Sequence, residues 1–331
     1  MMRPLLRAFL SLIAMTLAAE TPAAAQAGIP LRFGVIDNSA RNVSSLPLYI
    51  GQRQGFFARE GIELKVVQLR GVEHQIEGLE DGTVEVAHTA TPYLVQAVLR
   101  GSDAIGVIGA PANQIFTLLA RPEIKSYADL KGKLVAMSLP QDTISIATRL
   151  LLDKHGLKAG DYRTVDLIGT GTRVDCLVKG ECFAAAANQP ADLALMKKGY
   201  TRLGDSLEVI PTLQFSVIAA RKSWAAAHKD TLVRFARGFA AAYRFMREPR
   251  NRDAVARLMV ETTDTPPGMA RDILALYFEP DRGVMPKQAE IDIKGIEAVT
   301  ALLAQTGQIA KPAPVAARLI DLQYLKAAGL Q

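Results

Sequence analysis

Through the first two thirds of this chain, short apolar runs with β character alternate with stretches of helical periodicity, and this alternation limits the fold more than any other feature. Strands separated by helices call for a mostly parallel sheet with helices packed on its faces. The pattern predicts strands over residues 31–36, 62–69, 84–88 and 104–109, with helices over 47–59, 72–80 and 92–100. A second unit repeats the grammar, with strands over 133–138, 164–169, 182–188 and 207–212 and helices over 143–155, 172–179 and 191–198. Two further β-like segments, 114–120 and 215–221, flank the second unit and are expected to form a two-strand hinge. Beyond Arg221 the pattern is helical, over 223–246, 252–260, 267–277, 288–303 and 315–325, punctuated by Pro249, Pro266, Pro267, Pro286, Pro312 and Pro314. These helices are expected to brace the first unit.

The first two dozen residues have the form of a secretory signal peptide. Arg3 and Arg7 give a basic head, Phe9 to Leu17 an apolar run, and Ala23-Ala24-Ala25 a small-residue cleavage site. No Cys lies nearby to take a lipid, so a freely diffusing periplasmic protein is expected, cleaved near Ala25. Three hundred residues or so remain, more than one core usually spans, so two lobes are expected. The division is residues 1–25 as leader, 26–117 with 217–331 as a discontinuous first lobe, and 118–216 as the second.

Losing Arg3, Arg7 and Glu20 with the leader lowers the formal charge from +6 to +5. No segment packs basic residues densely enough for a nucleic-acid face. Cys176 and Cys182 are the two cysteines; they are spaced for a small disulfide in an oxidising compartment, or for two buried thiols.

In open α/β sheets, ligands bind beyond the carboxyl ends of the strands, where loops feed helix N-termini with unpaired N–H groups. Those loops hold Asn38, Ser39, Arg41, Ser44, Ser45 and Leu46, then Thr89, Thr91 and Tyr93, in the first unit. In the second they hold Ser138, Gln141, Asp142 and Thr143, then Thr172, then Asn188 and Gln189. Gln114 and Phe215 would line the walls between lobes. Hydroxyls, amides and helix N-termini suit a small anion or polar acid. Ser44, Thr91, Thr143 and Thr172 also sit where ordinary N-caps belong, Thr91 with Pro92 behind it, and both readings stand. Arg41 and Arg173 are the cationic candidates. No His-Glu-x-x-His, P-loop or Gly-x-Ser-x-Gly elbow occurs, the four histidines lack metal-ligand spacing, and no metal, cofactor or catalytic nucleophile is expected.

The chain resembles the periplasmic substrate-binding proteins of nitrate, sulfonate and taurine ABC importers, a family that includes thiamine-precursor binders. The likeness rests on Leu46-Pro-Leu-Tyr-Ile with Gly55-Phe-Phe-Ala-Arg-Glu-Gly61-Ile-Glu-Leu, on Leu79-Glu-Asp-Gly82-Thr-Val-Glu-Val-Ala87, on Ser126-Tyr-Ala-Asp-Leu-Lys-Gly-Lys133-Leu-Val-Ala, and on Val178-Lys-Gly180-Glu-Cys-Phe-Ala-Ala to Pro190. It implies a two-lobed α/β binding protein of type II form. Such a protein is a monomer that closes over a small sulfonate, nitrate-like anion, carboxylate or pyrimidine and delivers it to a membrane permease driven by an ATPase subunit. In the second lobe Cys182 takes the family's acidic position. Phe56 and Phe57 are read as core, at the far end of their helix from the cleft. Two alternatives share the fold: a ligand-sensing module for a membrane receptor, and an enzyme like those that make the thiamine pyrimidine, whose cysteine-rich run is matched here only by Cys182-Phe183.

Overall fold

The computed structural model describes residues 28–36, 41–71, 73–279 and 283–331. The leader expected over residues 1–25 lies outside them. Among the described residues the strands are β1 (Ile29–Ile36), β2 (Ile62–Leu69), β3 (Val86–Ala90), β4 (Ala104–Gly109), β5 (Thr117–Ala120), β6 (Leu134–Met137), β7 (Arg163–Asp166), β8 (Ala184–Ala187), β9 (Thr201–Asp205) and β10 (Ser216–Arg221). They build two five-stranded sheets in the orders β2-β1-β3-β10-β4 and β7-β6-β8-β5-β9. In each sheet four strands run one way, and one, β10 or β5, runs against its two neighbours. The sheets are therefore mixed, with the common direction of a doubly wound architecture.

The odd strand in each sheet is where the chain crosses over. Residues 110–116 lead from β4 into β5, and residues 206–215 lead from β9 back into β10. The two crossings are tied together, Phe215 N–H donating to Ala112 O at 2.9 Å and Ser206 N–H to Phe116 O at 2.9 Å. Ser216 N–H donates to Pro111 O at 3.1 Å. The connectors are thus residues 110–116 and 206–215; the expected segments 114–120 and 215–221 contribute only their first residues to them, and β5 and β10 then run in different sheets without pairing with each other.

Helices α1 (Leu46–Arg53), α2 (Phe56–Arg59), α3 (Glu73–Glu80) and α4 (Thr91–Leu99) flank the first sheet. Helices α5 (Thr143–Lys154), α6 (Thr170–Val178) and α7 (Ala191–Lys197) belong to the second. The C-terminal third adds α8 (Lys222–Ala227), α9 (Lys229–Arg247), α10 (Arg252–Thr262), α11 (Ala270–Tyr277), α12 (Ile293–Gln305) and α13 (Gln323–Ala328). As expected, these pack onto the first sheet, and their apolar faces share one core with it.

Phe57 shows how that core is keyed. Its ring lies 5.5 Å from Phe235 and 5.1 Å from Phe239, both on α9, and it is 2% exposed. The helices approach closely because Gly51 and Gly238 face the ring; a Cβ at either would come under 3.0 Å from it. Phe56 and Phe57 are core residues, as the sequence predicts.

Several expected boundaries fall elsewhere. No strand covers 207–212: Asp205 accepts from Leu207 N–H and Glu208 reaches back to Asp205 N–H, a capping box that turns the chain into a short 3-10 helix at Ser206–Glu208. The strand is Thr201–Asp205, just before it. The helix expected over 223–246 is broken at His228, which starts α9. The helix expected from residue 288 starts at Ile293. Residues 288–292 instead run as a bent loop against Gly109, whose N–H donates to Ala289 O at 2.8 Å, and Asp292 N–H donates to Gln214 Oε1 at 2.8 Å. The last expected helix, 315–325, divides into a 3-10 turn at Ala316–Arg318 and α13.

Candidate functional site

The common strand direction brings the carboxyl ends of β1, β3 and β4 to one edge of the first sheet and those of β6, β7, β8 and β9 to one edge of the second. The crossings join these two edges. An apolar node seals the junction: Phe116 and Phe215 meet edge to face at 5.6 Å, and Phe116 packs with Ile144 of α5 and Ala186 of β8. Ile146 and Ala147 of α5 join the core of the first sheet. The two edges are therefore in contact in this structure.

Tyr93, on α4, donates its hydroxyl proton to Asp142 Oδ1 at 2.6 Å. Asp142 is the N-cap of α5, yet its carboxylate caps no backbone N–H of that helix. It accepts from Tyr93 and from the Ser138 hydroxyl instead. An anionic side chain at a helix N-terminus is favoured by the dipole, so the diversion toward the opposite sheet costs little.

None of the four expected capping hydroxyls makes a cap bond. Ala90, not Thr91, precedes α4; Asp142, not Thr143, precedes α5; Gly169 precedes α6, and Asn42 the 3-10 turn at Val43–Ser45. Thr91 is the first helical residue, with Pro92 second. Its Oγ1 is buried without a hydrogen-bond partner, as are Thr89 Oγ1, Gln114 Oε1, Ser145 Oγ and Gln189 Oε1. These five atoms come from both sheet edges and from a crossing.

The second sheet supplies two polar networks. Arg173, 3% exposed, donates Nε–H to Ala186 O (2.8 Å), Nη1–H to Leu167 O (3.0 Å) and Nη2–H to Thr170 Oγ1 (3.1 Å), all neutral acceptors. Burial draws its pKa down to about 10, opposed by the charge of Asp142. Thr170 passes the contact on, donating to Asn188 Oδ1 at 2.7 Å. Alongside, Asp192 accepts from Thr117 Oγ1 (2.8 Å), Gln189 Nε2 (2.7 Å) and Leu193 N–H (2.7 Å), and burial raises its pKa against those bonds. Tyr277 of α11 faces the same carboxylate; its hydroxyl is buried without a hydrogen-bond partner, and burial and Asp192 push its pKa up. Lys197 of α7 and Asp272 of α11 pair at 3.9 Å, both exposed, at the same contact.

The expected site residues thus divide. Thr89, Thr91, Tyr93, Gln114, Ser138, Asp142, Thr143, Asn188, Gln189 and Phe215 belong to the joined edges, with Gln141 on the same loop. Ser44 and Ser45 line a small pocket beside them with His88, Ala110 and Pro111. Leu46 is fully buried in the first core. Arg41 is exposed and pairs with Asp264 at 2.7 Å, so its charge is spent on the surface. Thr172 is exposed and returns its hydroxyl to Ile168 O (2.6 Å) and Gly169 O (2.8 Å); Thr170, two residues earlier, holds the place expected of it. Asn38 and Ser39 lie outside the described residues. Sequence reasoning missed Ser145, Asp192, Tyr277 and His88 as members of this region.

Cys176 and Cys182 are disulfide-bonded, with Cα atoms 5.5 Å apart. Cys182 precedes β8, at the edge of the sheet opposite the cleft. Among the described residues no group of three His, Cys, Asp or Glu is placed to hold a metal ion, and no helix is long and apolar enough to cross a membrane.

Two α/β domains meeting along their carboxyl edges, with polar groups of both turned into the junction, define a two-domain cleft fold. The chain belongs to the NMT1/THI5-like family, whose model matches residues 42–251. YtlA of Bacillus subtilis (strain 168) is 20% identical over 284 residues, 81% of each chain. Among solved structures, the alkanesulfonate-binding protein SsuA from Xanthomonas axonopodis pv. citri, bound to MOPS, is 21% identical with a TM-score of 0.67, covering 90% of this chain and 99% of that one. The periplasmic nitrate-binding protein NrtA from Synechocystis PCC 6803 is 14% identical with a TM-score of 0.73, covering 91% and 88%. The desulfurization enzyme DSZB is 16% identical with a TM-score of 0.66, covering 91% and 98%. At these identities the structural likenesses establish the fold.

Proposed function

We propose that this chain is the extracytoplasmic solute-binding component of an ABC importer, a monomer that captures a small polar or anionic organic solute between its two lobes and delivers it to a membrane permease driven by an ATPase. The observation that carries the reading is the set of buried, unpartnered polar atoms along the joined edges: Thr89 Oγ1 and Thr91 Oγ1 on one side, Gln114 Oε1 on the crossing, Ser145 Oγ and Gln189 Oε1 on the other. Buried polar groups are nearly always hydrogen-bonded, so five together mark where a ligand's own polar atoms belong. The lobes we assign are residues 26–117 with 217–331, and residues 118–216.

A ligand touching both edges favours the closed arrangement by the contacts it makes there and loses on opening. Arg173 adds positive charge behind the second-lobe wall, on neutral partners, with Asp142 as the one acid whose field it feels. The solutes named for SsuA and NrtA, an alkanesulfonate and nitrate, are small anions. The basic head and apolar run of residues 1–25 support export. The thiamine-pyrimidine enzyme reading loses its one motif, because Cys182 is disulfide-bonded at the far sheet edge.

Isothermal titration of Thr91→Ala and Thr143→Ala tests the placement. Each should weaken the ligand by about five-fold, the ~1 kcal/mol of a hydrogen bond. Unchanged affinity in both would place the ligand elsewhere.

A further inference from the structure

His88 stands in the middle of β3 and lines the small pocket that Phe33, Ser44, Pro47, Ile218, Phe239 and Tyr243 also line. Its Nε2 lies 2.9 Å from Ser216 Oγ, which lies 3.1 Å from Pro111 O. A carbonyl only accepts, so the Ser216 proton goes to Pro111 O, and both contacts are satisfied only when His88 Nε2 carries a proton and donates it. In a neutral ring Nδ1 is then a bare acceptor. The ring packs among the pocket walls with part of its surface exposed, and burial draws its pKa to about 4, so it is neutral across the physiological range. His88 Nδ1 makes no hydrogen bond among the described residues, and neither does the Ser44 hydroxyl.

We infer that this pocket is a subsite for a hydrogen-bond donor on the captured solute, an N–H or O–H group that His88 Nδ1 accepts, and that His88 thereby selects donor-bearing solutes over their methyl isosteres. The inference rests on the proposed solute capture. The pocket is mostly apolar, so beside His88 the donor meets few polar side chains there, those of Ser44, Ser45 and Tyr243. A methyl group in its place leaves Nδ1 desolvated and unpaired, which is how a site built for a hydrogen bond discriminates most strongly.

Two measurements test it. In wild-type protein at about pH 7, long-range proton–nitrogen correlation spectra of His88 should show a protonated Nε2 and an unprotonated Nδ1. A protonated Nδ1 overturns the inference without reference to any ligand. Calorimetry then compares matched probes: hydroxyethanesulfonate with propanesulfonate, hydroxybenzoate with methylbenzoate, and aminopyrimidine with methylpyrimidine. At least one donor-bearing member should bind ten-fold or more tighter than its methyl partner in wild type, and His88→Phe, checked for a native circular dichroism spectrum, should erase that ratio. Binding without such a ratio, or a ratio that survives in the variant, overturns the subsite alone and points to a pocket that holds only water. Silence of every probe in both proteins overturns the capture reading and the subsite with it.

Discussion

The Tyr93 hydroxyl and the Asp142 carboxylate, carried by different sheets, share a 2.6 Å hydrogen bond that spans the cleft. A hydrogen bond to a charged acceptor contributes about 1.5–3 kcal/mol, a sizeable bias on a hinge equilibrium. Asp142 keeps its bond from Ser138 when Tyr93 is removed. Tyr93→Phe should therefore leave both lobes folded and shift the protein toward open forms. Small-angle scattering should show a larger radius of gyration for the variant, and an unchanged radius would mean the bond does not hold the lobes together.

His88 gives the protein a pH dependence on the acid side. In the unfolded chain its imidazole gains a proton as pH falls through about 6.5, whereas the native ring stays neutral to about 4, because burial penalises the cation. Unfolded protein then binds more protons than native, so this contribution destabilises the fold as pH falls from about 6.5 toward 4 and is absent above that window. The full cost is on the order of 3 kcal/mol. Urea unfolding across this range should show that loss in wild type and a much smaller one in His88→Phe; parallel curves would mean that another group carries the dependence.

Gly238→Ala should destabilise by about 1–3 kcal/mol, because the new methyl must displace the Phe57 ring in a close-packed core. Adding Phe57→Leu should return part of that loss, since the smaller side chain vacates the space. Denaturant midpoints of the two single variants and the double variant form the cycle that checks this, and strictly additive effects would contradict the contact.

Freshly purified protein, unfolded without reductant, should present no free thiol to a thiol reagent, because Cys176 and Cys182 are joined. Replacing both by Ala should cost about 2 kcal/mol, the loop-closure entropy of a bridge this short. Ligand affinity should be preserved, because the bridge lies at the sheet edge away from the cleft.

The alternation of strands and helices was legible in the sequence, and with it the loops that meet at the cleft. Thr89, Thr91, Asp142 and Gln189 follow from that rule alone, since each sits at or just beyond a strand's carboxyl end. What periodicity does not carry is what each side chain does. Asp142 has the position of a helix cap and turns its carboxylate to Tyr93 instead, a choice made by a partner 49 residues away. Thr170 supplants Thr172 because α6 begins one residue past Gly169, whose φ of 87° starts the helix earlier than the apolar stripe does. Tyr277 feels Asp192 because α11, packed in the first core, meets α7 of the second lobe at the Lys197–Asp272 pair, a tertiary fact with no local signal. His88 reads as one polar residue in a buried strand, and only the contacts of Ser216 show which nitrogen is free.

The central claim, capture of a small solute between the two edges, is tested most directly by thermal unfolding of protein stripped of ligand by unfolding and refolding. The panel is alkanesulfonates, nitrate, aromatic carboxylates and pyrimidines. A ligand at a hundred times its dissociation constant adds about 2.7 kcal/mol of stability, which for a chain of this size raises the melting temperature by several degrees. The expected result is a saturable rise with at least one of these solutes that is lost when Thr91 and Thr143 are both changed to Ala. No rise with any of them would contradict the account.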